Sequence, residues 1–435
     1  MNLEQGIYLG RSGLHNAIAL PQRSVLVLGP SRSGKTSSLI VPNLLMSTRS
    51  VVATSTKDDV VRQMALARGD RTTLLFDPSG TVATPPGVTR VGYSPLRASI
   101  EWDGAVLATR SLVESARRGY GDRADDHWTE RAAALVAPLL HDAALRQDSM
   151  GALVSRVDQR SGDAALSLLE QRYGEHHPAS SLLKGVLASE DRERSSIWST
   201  ASGLFAGLRT EAARRASRES PLQIDDFLRG GHQLHIVAPS RHQSVTAPLI
   251  VGLIDEIVEA TYANHHRGAR LLLALDELAN VAPLPRLANI ISEGGGQGVV
   301  SLACLQDLSQ ARSRWGSAAD GFVSLFPTTV LLPGIADRAT LELFQHLAGR
   351  ELVPSPVVQR DPKGKGRGHS WSWLERDRAT VAQLAHGRRG YALGLDEAKQ
   401  LRWIKLTPAH LDERFRDYLN SSREDPSLAR WRDRS

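Results

Sequence analysis

The segment Gly29-Pro-Ser-Arg-Ser-Gly34-Lys35-Thr36 fits the pattern G-x-x-x-x-G-K-[ST], and no other stretch constrains the fold as much. Such a loop works only between a buried strand and a helix whose N-terminus faces the same point. The flanks meet that condition. Ser24–Leu28 (SVLVL) is a short apolar run that reads as a buried strand, and a helical start follows Thr36. Glycines let backbone N–H groups converge on phosphate oxygens without a Cβ in the way. Lys35 brings charge to the β- and γ-phosphates, and the Thr36 hydroxyl is suited to Mg²⁺. The expected nucleotide contacts are Gly29, Pro30, Ser31, Arg32, Ser33, Gly34, Lys35, Thr36 and Ser37, with ATP and Mg²⁺ as cofactors. Pro42 lies inside the following helical segment, where a regular helix would lose about 3 kcal/mol.

A phosphate loop needs a partner carboxylate, and Leu271-Leu-Leu-Ala-Leu-Asp276-Glu277 offers an apolar strand ending in two acids. At the strand's carboxyl edge Asp276 can hold Mg²⁺, while Glu277 can orient and deprotonate an attacking water. The next strand ends in Leu305-Gln306-Asp307. A glutamine there can sense the γ-phosphate by hydrogen bonding, although a surface glutamine is nearly as good a reading.

Around these motifs the chain alternates in character. Ser50–Thr54 and Thr72–Phe76 are further apolar runs, separated by helical spacing as parallel βαβ units require. Prolines 78, 85, 86 and 95 then mark a boundary. From about Ile100 to Ser220 apolar residues recur only at helical spacing. Strands return at Gln233–Val237, Arg270–Leu275, Gly298–Leu305 and Thr328–Leu332, with an amphipathic helix expected over Ala247–Tyr262. The expected organisation is an α/β nucleotide-binding domain in two parts, 1–99 and 221–420. An all-α domain, 100–220, interrupts it, and a polar tail, 421–435, ends the chain.

Composition adds bounds. With 41% hydrophobic and 23% charged residues, the chain is an ordinary globular protein. The net charge of +6 permits an acidic partner, but 46 of the 53 basic residues are arginine, a bias that genome composition also produces. The single Cys304 lies in an apolar run, which rules out a disulfide framework and reads as core in a reducing compartment. No apolar run reaches the roughly 18 residues of a membrane span. The expected location is cytoplasmic.

Other clusters are ambiguous. Lys363–His369 could touch a phosphate backbone or be merely solvated. Trp371 and Trp373 beside it could stack on bases or lie on the buried face of a strand. Arg209, Arg214, Arg215 and Arg218 could line a substrate surface or favour a helix C-terminus.

Two stretches resemble the coupling-protein ATPases of type IV secretion and bacterial conjugation, the VirD4/TraG/TraD family. Gly29–Leu45 is similar to its first nucleotide motif, including Pro42-Asn43-Leu44-Leu45, and Leu272–Gln310 is similar to its second and third. The resemblance implies a RecA-like P-loop NTPase domain with an all-α insertion. It also implies a hexameric ring that feeds DNA, or a relaxase–DNA cargo, into a secretion channel at the inner face of the cell membrane. Transferred roles place Lys35 on the phosphates, Thr36 and Asp276 on Mg²⁺, Glu277 as catalytic base and Gln306 as sensor. Three departures stand out. Family members usually begin with transmembrane helices, so the anchor is expected to be removed or to be a separate subunit. Ser55-Thr56-Lys57-Asp58-Asp59 replaces an Asp-Pro-Lys-Gly-Glu-like run, and Gly294-Gly-Gly-Gln297-Gly298 stands where an arginine is common. Arg286 and Arg32 are substitute candidates for that arginine. The alternatives are a HerA/FtsK-like DNA-translocating ATPase and a weakly hydrolysing cargo receptor.

Overall fold

The computed structural model describes residues 6–67, 71–116, 124–360, 367–398 and 400–420. Strands β1 (Tyr8–Ser12), β2 (His15–Ile18) and β3 (Val25–Leu28) precede the glycine-rich loop. β4 (Ser50–Ser55), β5 (Thr73–Phe76) and β6 (Val88–Arg90) follow it. After a long helical stretch come β7 (Gln233–Val237), β8 (Leu271–Leu275), β9 (Val299–Leu305) and β10 (Thr328–Leu331). β11 (Arg350–Arg360) and β12 (Arg367–Asp377) pair as a separate hairpin. β13 (Tyr391–Leu395) and β14 (Leu401–Lys405) return to the main sheet.

That sheet has the order β2-β1-β14-β13-β10-β3-β9-β8-β4-β7-β5-β6. From β10 to β6 every pairing is parallel. β3, β4, β8 and β9 are buried along their whole length, as helices on both faces require, and this explains their largely apolar sequences. From β10 to β2 the pairings are antiparallel. The sequence suggests a parallel sheet; its antiparallel extension carries a weaker signal because β1, β2 and β14 are only partly buried and lack long apolar runs.

Between Trp102 and Ala216 every regular element among the described residues is helical. Leu139, Leu153, Ile197 and Trp198 of this stretch belong to one buried cluster with Leu26, Leu28 and Phe76 of the sheet. The helix Gln243–Asn264 lies between the two. It is not amphipathic as its sequence suggested: Leu253 and Ile257 on one side and Val251 and Asp255 on the other are all buried, because it has packing partners on opposite sides. Cys304 is fully buried in β9. No helix among the described residues is long and apolar enough to cross a membrane. Asp361–Gly366, in the basic segment noted above, and the tail 421–435 lie outside the described residues.

Candidate nucleotide site

The loop after β3 is built from backbone geometry that few sequences tolerate. Gly34 has φ +92°, a conformation glycine adopts without strain, and Arg32 takes φ +63°. At Gly29 a Cβ would fall 2.8 Å from the Leu332 Cβ and 2.9 Å from the Ser33 Oγ, so only glycine fits. The Gly29 N–H donates to the Leu305 carbonyl (3.1 Å), which ties the loop to the end of β9. Lys35 is 5% exposed, and its Nζ donates to the Gly29 and Pro30 carbonyls at 2.5 and 2.9 Å. The Ser33 Oγ is buried with no hydrogen-bond partner in the protein. An orphaned hydroxyl in a cradle closed around an ammonium group is the environment a phosphate would satisfy.

The helix leaving the loop is irregular, and this answers the puzzle of Pro42. Thr36–Ile40 form a π turn, closed by the Val41 N–H donating to the Thr36 carbonyl, and an α-helix follows over Val41–Met46. Pro42 therefore sits at the start of the α segment, where the regular ladder is already interrupted and a missing N–H costs little. Asn43, buried beside it, was not singled out in the sequence. Its Oδ1 accepts from the Tyr8 N–H, and its Nδ2 donates to the Tyr8 and Leu39 carbonyls, all at 2.8 Å. It pins β1 to the helix behind the phosphate loop. A lone amide in the apolar run Val41–Leu45 is the signal that could have found it.

The acidic strand end meets the loop directly. The Thr36 Oγ1 donates to the Asp276 Oδ2 at 2.6 Å, across 240 residues of sequence. The Thr54 Oγ1, at the end of β4, donates to the Asp276 carbonyl (2.9 Å) and fixes the turn from the other side. Sequence reasoning does not find Thr54, because a threonine in a strand needs no functional explanation. Burial pushes the Asp276 carboxyl above the ordinary carboxylate range; the Thr36 hydrogen bond and the nearby Lys35 pull it down, and Glu277 and Asp59 push it up again. Glu277 adopts φ +53° and ψ +46°, the left-handed region. Non-glycine residues held there are strained and cluster at functional sites. β9 lies between β3 and β8, so the residue at its tip is brought beside the loop. The Gln306 Nε2 stands 3.5 Å from the Ser31 Oγ, and its backbone N–H donates to the Gln310 Oε1 at 2.9 Å.

Lys35, Thr36, Asp276 and Gln306 thus converge from three adjacent parallel strands at their carboxyl ends, with Glu277 next in the chain to Asp276. The oxygen donors of Thr36 and Asp276 suit Mg²⁺, a hard cation that commonly takes one or two protein oxygens and completes its shell with phosphate and water.

Residues 6–379 match the model of the family described as type IV secretory system conjugative DNA transfer. The chain belongs to this family. Two Conjugal transfer protein TraG relatives from Escherichia coli are 27% and 25% identical over 320 and 323 residues. Each alignment covers 67% of this chain and 49% of the relative, so the matched segment spans about half of those proteins. Among solved structures, the bacterial conjugative coupling protein TrwBdeltaN70 aligns with a TM-score of 0.67 at 19% identity, covering 89% of this chain and 85% of that one. Plasmid coupling protein TrwB in complex with ADP and Mg²⁺ aligns at 0.65 and 19%, covering 90% and 87%. The likeness establishes a RecA-like P-loop NTPase fold with a helical domain.

Of the departures expected from the resemblance, the glycine turn in place of an arginine has a structural reason. A Cβ at Gly295 would lie 2.1 Å from the Gln22 carbonyl oxygen, so that position of the glycine turn admits no side chain. Of the two substitute arginines, Arg286 is held within its own chain by Glu259 (2.6 Å), which speaks against its reaching a neighbour. Arg32 is exposed on the phosphate loop. Arg209 pairs with Asp158 (2.5 Å) within the helical stretch.

Proposed function

We propose that the chain is a coupling ATPase that binds Mg²⁺-ATP at Gly29–Ser37 and hydrolyses it to drive DNA, or a protein–DNA cargo, toward a type IV secretion channel. The observation that carries this reading is the 2.6 Å contact between Thr36 and Asp276, which joins the phosphate loop to the acidic strand end. Family membership supports the conjugative context. In this reading Lys35 leaves the Gly29 and Pro30 carbonyls to meet the β- and γ-phosphates, and the loop N–H groups and Ser33 hydroxyl hold their oxygens. Thr36 and Asp276 would hold Mg²⁺, which when bound neutralises charge on the phosphate oxygens. Glu277 takes the proton of the attacking water, and Gln306 registers the γ-phosphate.

We assign the nucleotide-binding domain to residues 1–99 and 221–420, with an all-α domain at 100–220. Subunits would assemble head-to-tail into a hexameric ring on the cytoplasmic side of the membrane, and a separate anchor subunit or an anchor segment would tether them. The deciding experiment measures ATPase rate against protein concentration, with and without single-stranded DNA. Wild type should accelerate with both, and Glu277→Gln should lose at least a hundredfold while still binding nucleotide. A rate indifferent to assembly and DNA rejects a ring motor and favours a cargo receptor.

A further inference from the structure

Glu277 stands in a conformation that an L-residue resists, so something must hold it there. At φ +53° and ψ +46° its Cβ crowds a backbone carbonyl, a cost that glycine alone escapes. The backbone on its carboxyl side is secured: the Glu277 carbonyl accepts from the Asn280 and Val281 N–H groups at 2.9 and 3.0 Å. On its amino side the plane of the peptide joining Asp276 to Glu277 decides the outcome. Turning that plane over changes the Asp276 ψ and the Glu277 φ together. Glu277 would then return toward negative φ, where its side chain is unstrained.

Thr54 stands against that rotation. Its Oγ1 donates to the Asp276 carbonyl at 2.9 Å, one residue past the last pairing of β4 with β8, that of Thr54 with Leu275. The hydroxyl has a firm support, since β4 lies inside the sheet between β8 and β7 and Thr54 is buried. A flipped peptide would turn the carbonyl away and forfeit a hydrogen bond in a place closed to water.

The two acids are also held by different partners. Thr36 ties the Asp276 carboxyl group to the phosphate loop, whereas Thr54 ties only the Asp276 backbone. Losing the Thr54 bond therefore leaves the Asp276 carboxyl group in place. What changes is the direction in which the Glu277 side chain leaves the chain.

We propose that Thr54 is a positioning residue for hydrolysis: its hydroxyl locks the Asp276–Glu277 peptide and so aims the Glu277 carboxylate at the attacking water. This rests on the coupling-ATPase reading, in which Glu277 is the base. The test is the variant Thr54→Val in the full chain, which keeps the branched shape a strand favours and removes only the hydroxyl. Under the ATPase conditions given above, kcat should fall at least about tenfold, since misplacing a catalytic group by about 1 Å can cost a hundredfold. Affinity for a non-hydrolysable ATP analogue with Mg²⁺ should stay within about threefold of wild type, because the lost interaction serves the reaction and not the binding. Thr54→Ser retains the donor and should keep kcat within about threefold of wild type. A crystal structure of Thr54→Val should show Glu277 at negative φ.

A left-handed Glu277 persisting in that variant overturns the proposal, whatever happens to the rate. Equal losses in the serine and valine variants do the same. A parallel drop in affinity, turnover and unfolding midpoint would make Thr54 a support of the fold and overturn it too. Full turnover in both wild type and Thr54→Val sinks this inference alone. A wild type that binds Mg²⁺-ATP without turning it over sinks the ATPase reading, and the proposal with it.

Discussion

Asp276 concentrates the chemistry of the site in one carboxyl group. Its burial raises the proton affinity, while the Mg²⁺ we propose it holds requires the anion, so the two states compete within a single residue. The sign follows directly. Lowering the pH protonates Asp276 earlier than an exposed aspartate, and the metal loses its carboxylate. Mg²⁺-dependent affinity for an ATP analogue should therefore fall as pH drops from about 7 to 4, beginning above the usual carboxylate range. Asp276→Asn should bind weakly and show a flatter profile; titration calorimetry across that range checks both. A full-strength Asn variant would remove Asp276 from the metal site. Lys35→Ala should lower nucleotide affinity at every pH, because its proposed role is charge at the phosphates and it is buried against the loop. These residues were legible in the sequence because their motif encodes chemistry. Thr54 and Asn43 were not, since their roles consist of hydrogen bonds to backbone brought close only by folding.

At the scale of single elements, the segment after the phosphate loop shows how a local rule can be broken at low cost. The π turn Thr36–Ile40 absorbs the irregularity, and Pro42 starts the α-helix rather than interrupting it. Asn43 then secures the helix to β1. Truncating it would leave the Tyr8 N–H and carbonyl unpaired in a buried place, so Asn43→Ala should cost about 2–4 kcal/mol. Chemical denaturation measures this directly; a loss below about 0.5 kcal/mol would mean that water replaces the amide. Helix Gln243–Asn264 teaches the opposite lesson. Its polar positions suggested a solvent face, yet Asp255 and Thr261 are buried with its apolar residues. Periodicity reports how many sides of a helix are apolar, not what lies against them.

For the molecule as a whole, Asp255 links the sheet-packed core to the helical stretch: the Ser111 Oγ donates to its Oδ2 at 2.7 Å. Burial raises this carboxyl from 3.8 to about 6; Ser111 and Arg286 oppose the shift, and Glu114 and Glu259 add to it. The folded state therefore holds the proton more tightly than the unfolded chain. That contribution favours folding below about pH 4 and is lost as pH rises to about 6 and beyond, about 3 kcal/mol in all. Asp255→Asn, neutral throughout, should be more stable than wild type at pH 8 by up to about 3 kcal/mol, with the gap closing near pH 4. Denaturation midpoints at the two pH values test it, and a constant difference would contradict the linkage. The same link joins the proposed motor and helical domains, since buried residues of the helical stretch and of one side of the sheet share a continuous cluster.

Local sequence patterns carry the expected nucleotide site, the parallel strands and the helical nature of the intervening stretch. Each is written in local patterns: a glycine-rich loop, apolar runs of strand length, apolar residues at helical spacing. Only the tertiary structure decided what depends on distance. It brought Thr36 to Asp276, placed β9 between the two motif-bearing strands, added the antiparallel edge and left the tryptophan-bearing hairpin in water. The physical reason is that local patterns record which face of an element avoids water, whereas its neighbours are chosen by long-range packing and hydrogen bonding that no single segment contains.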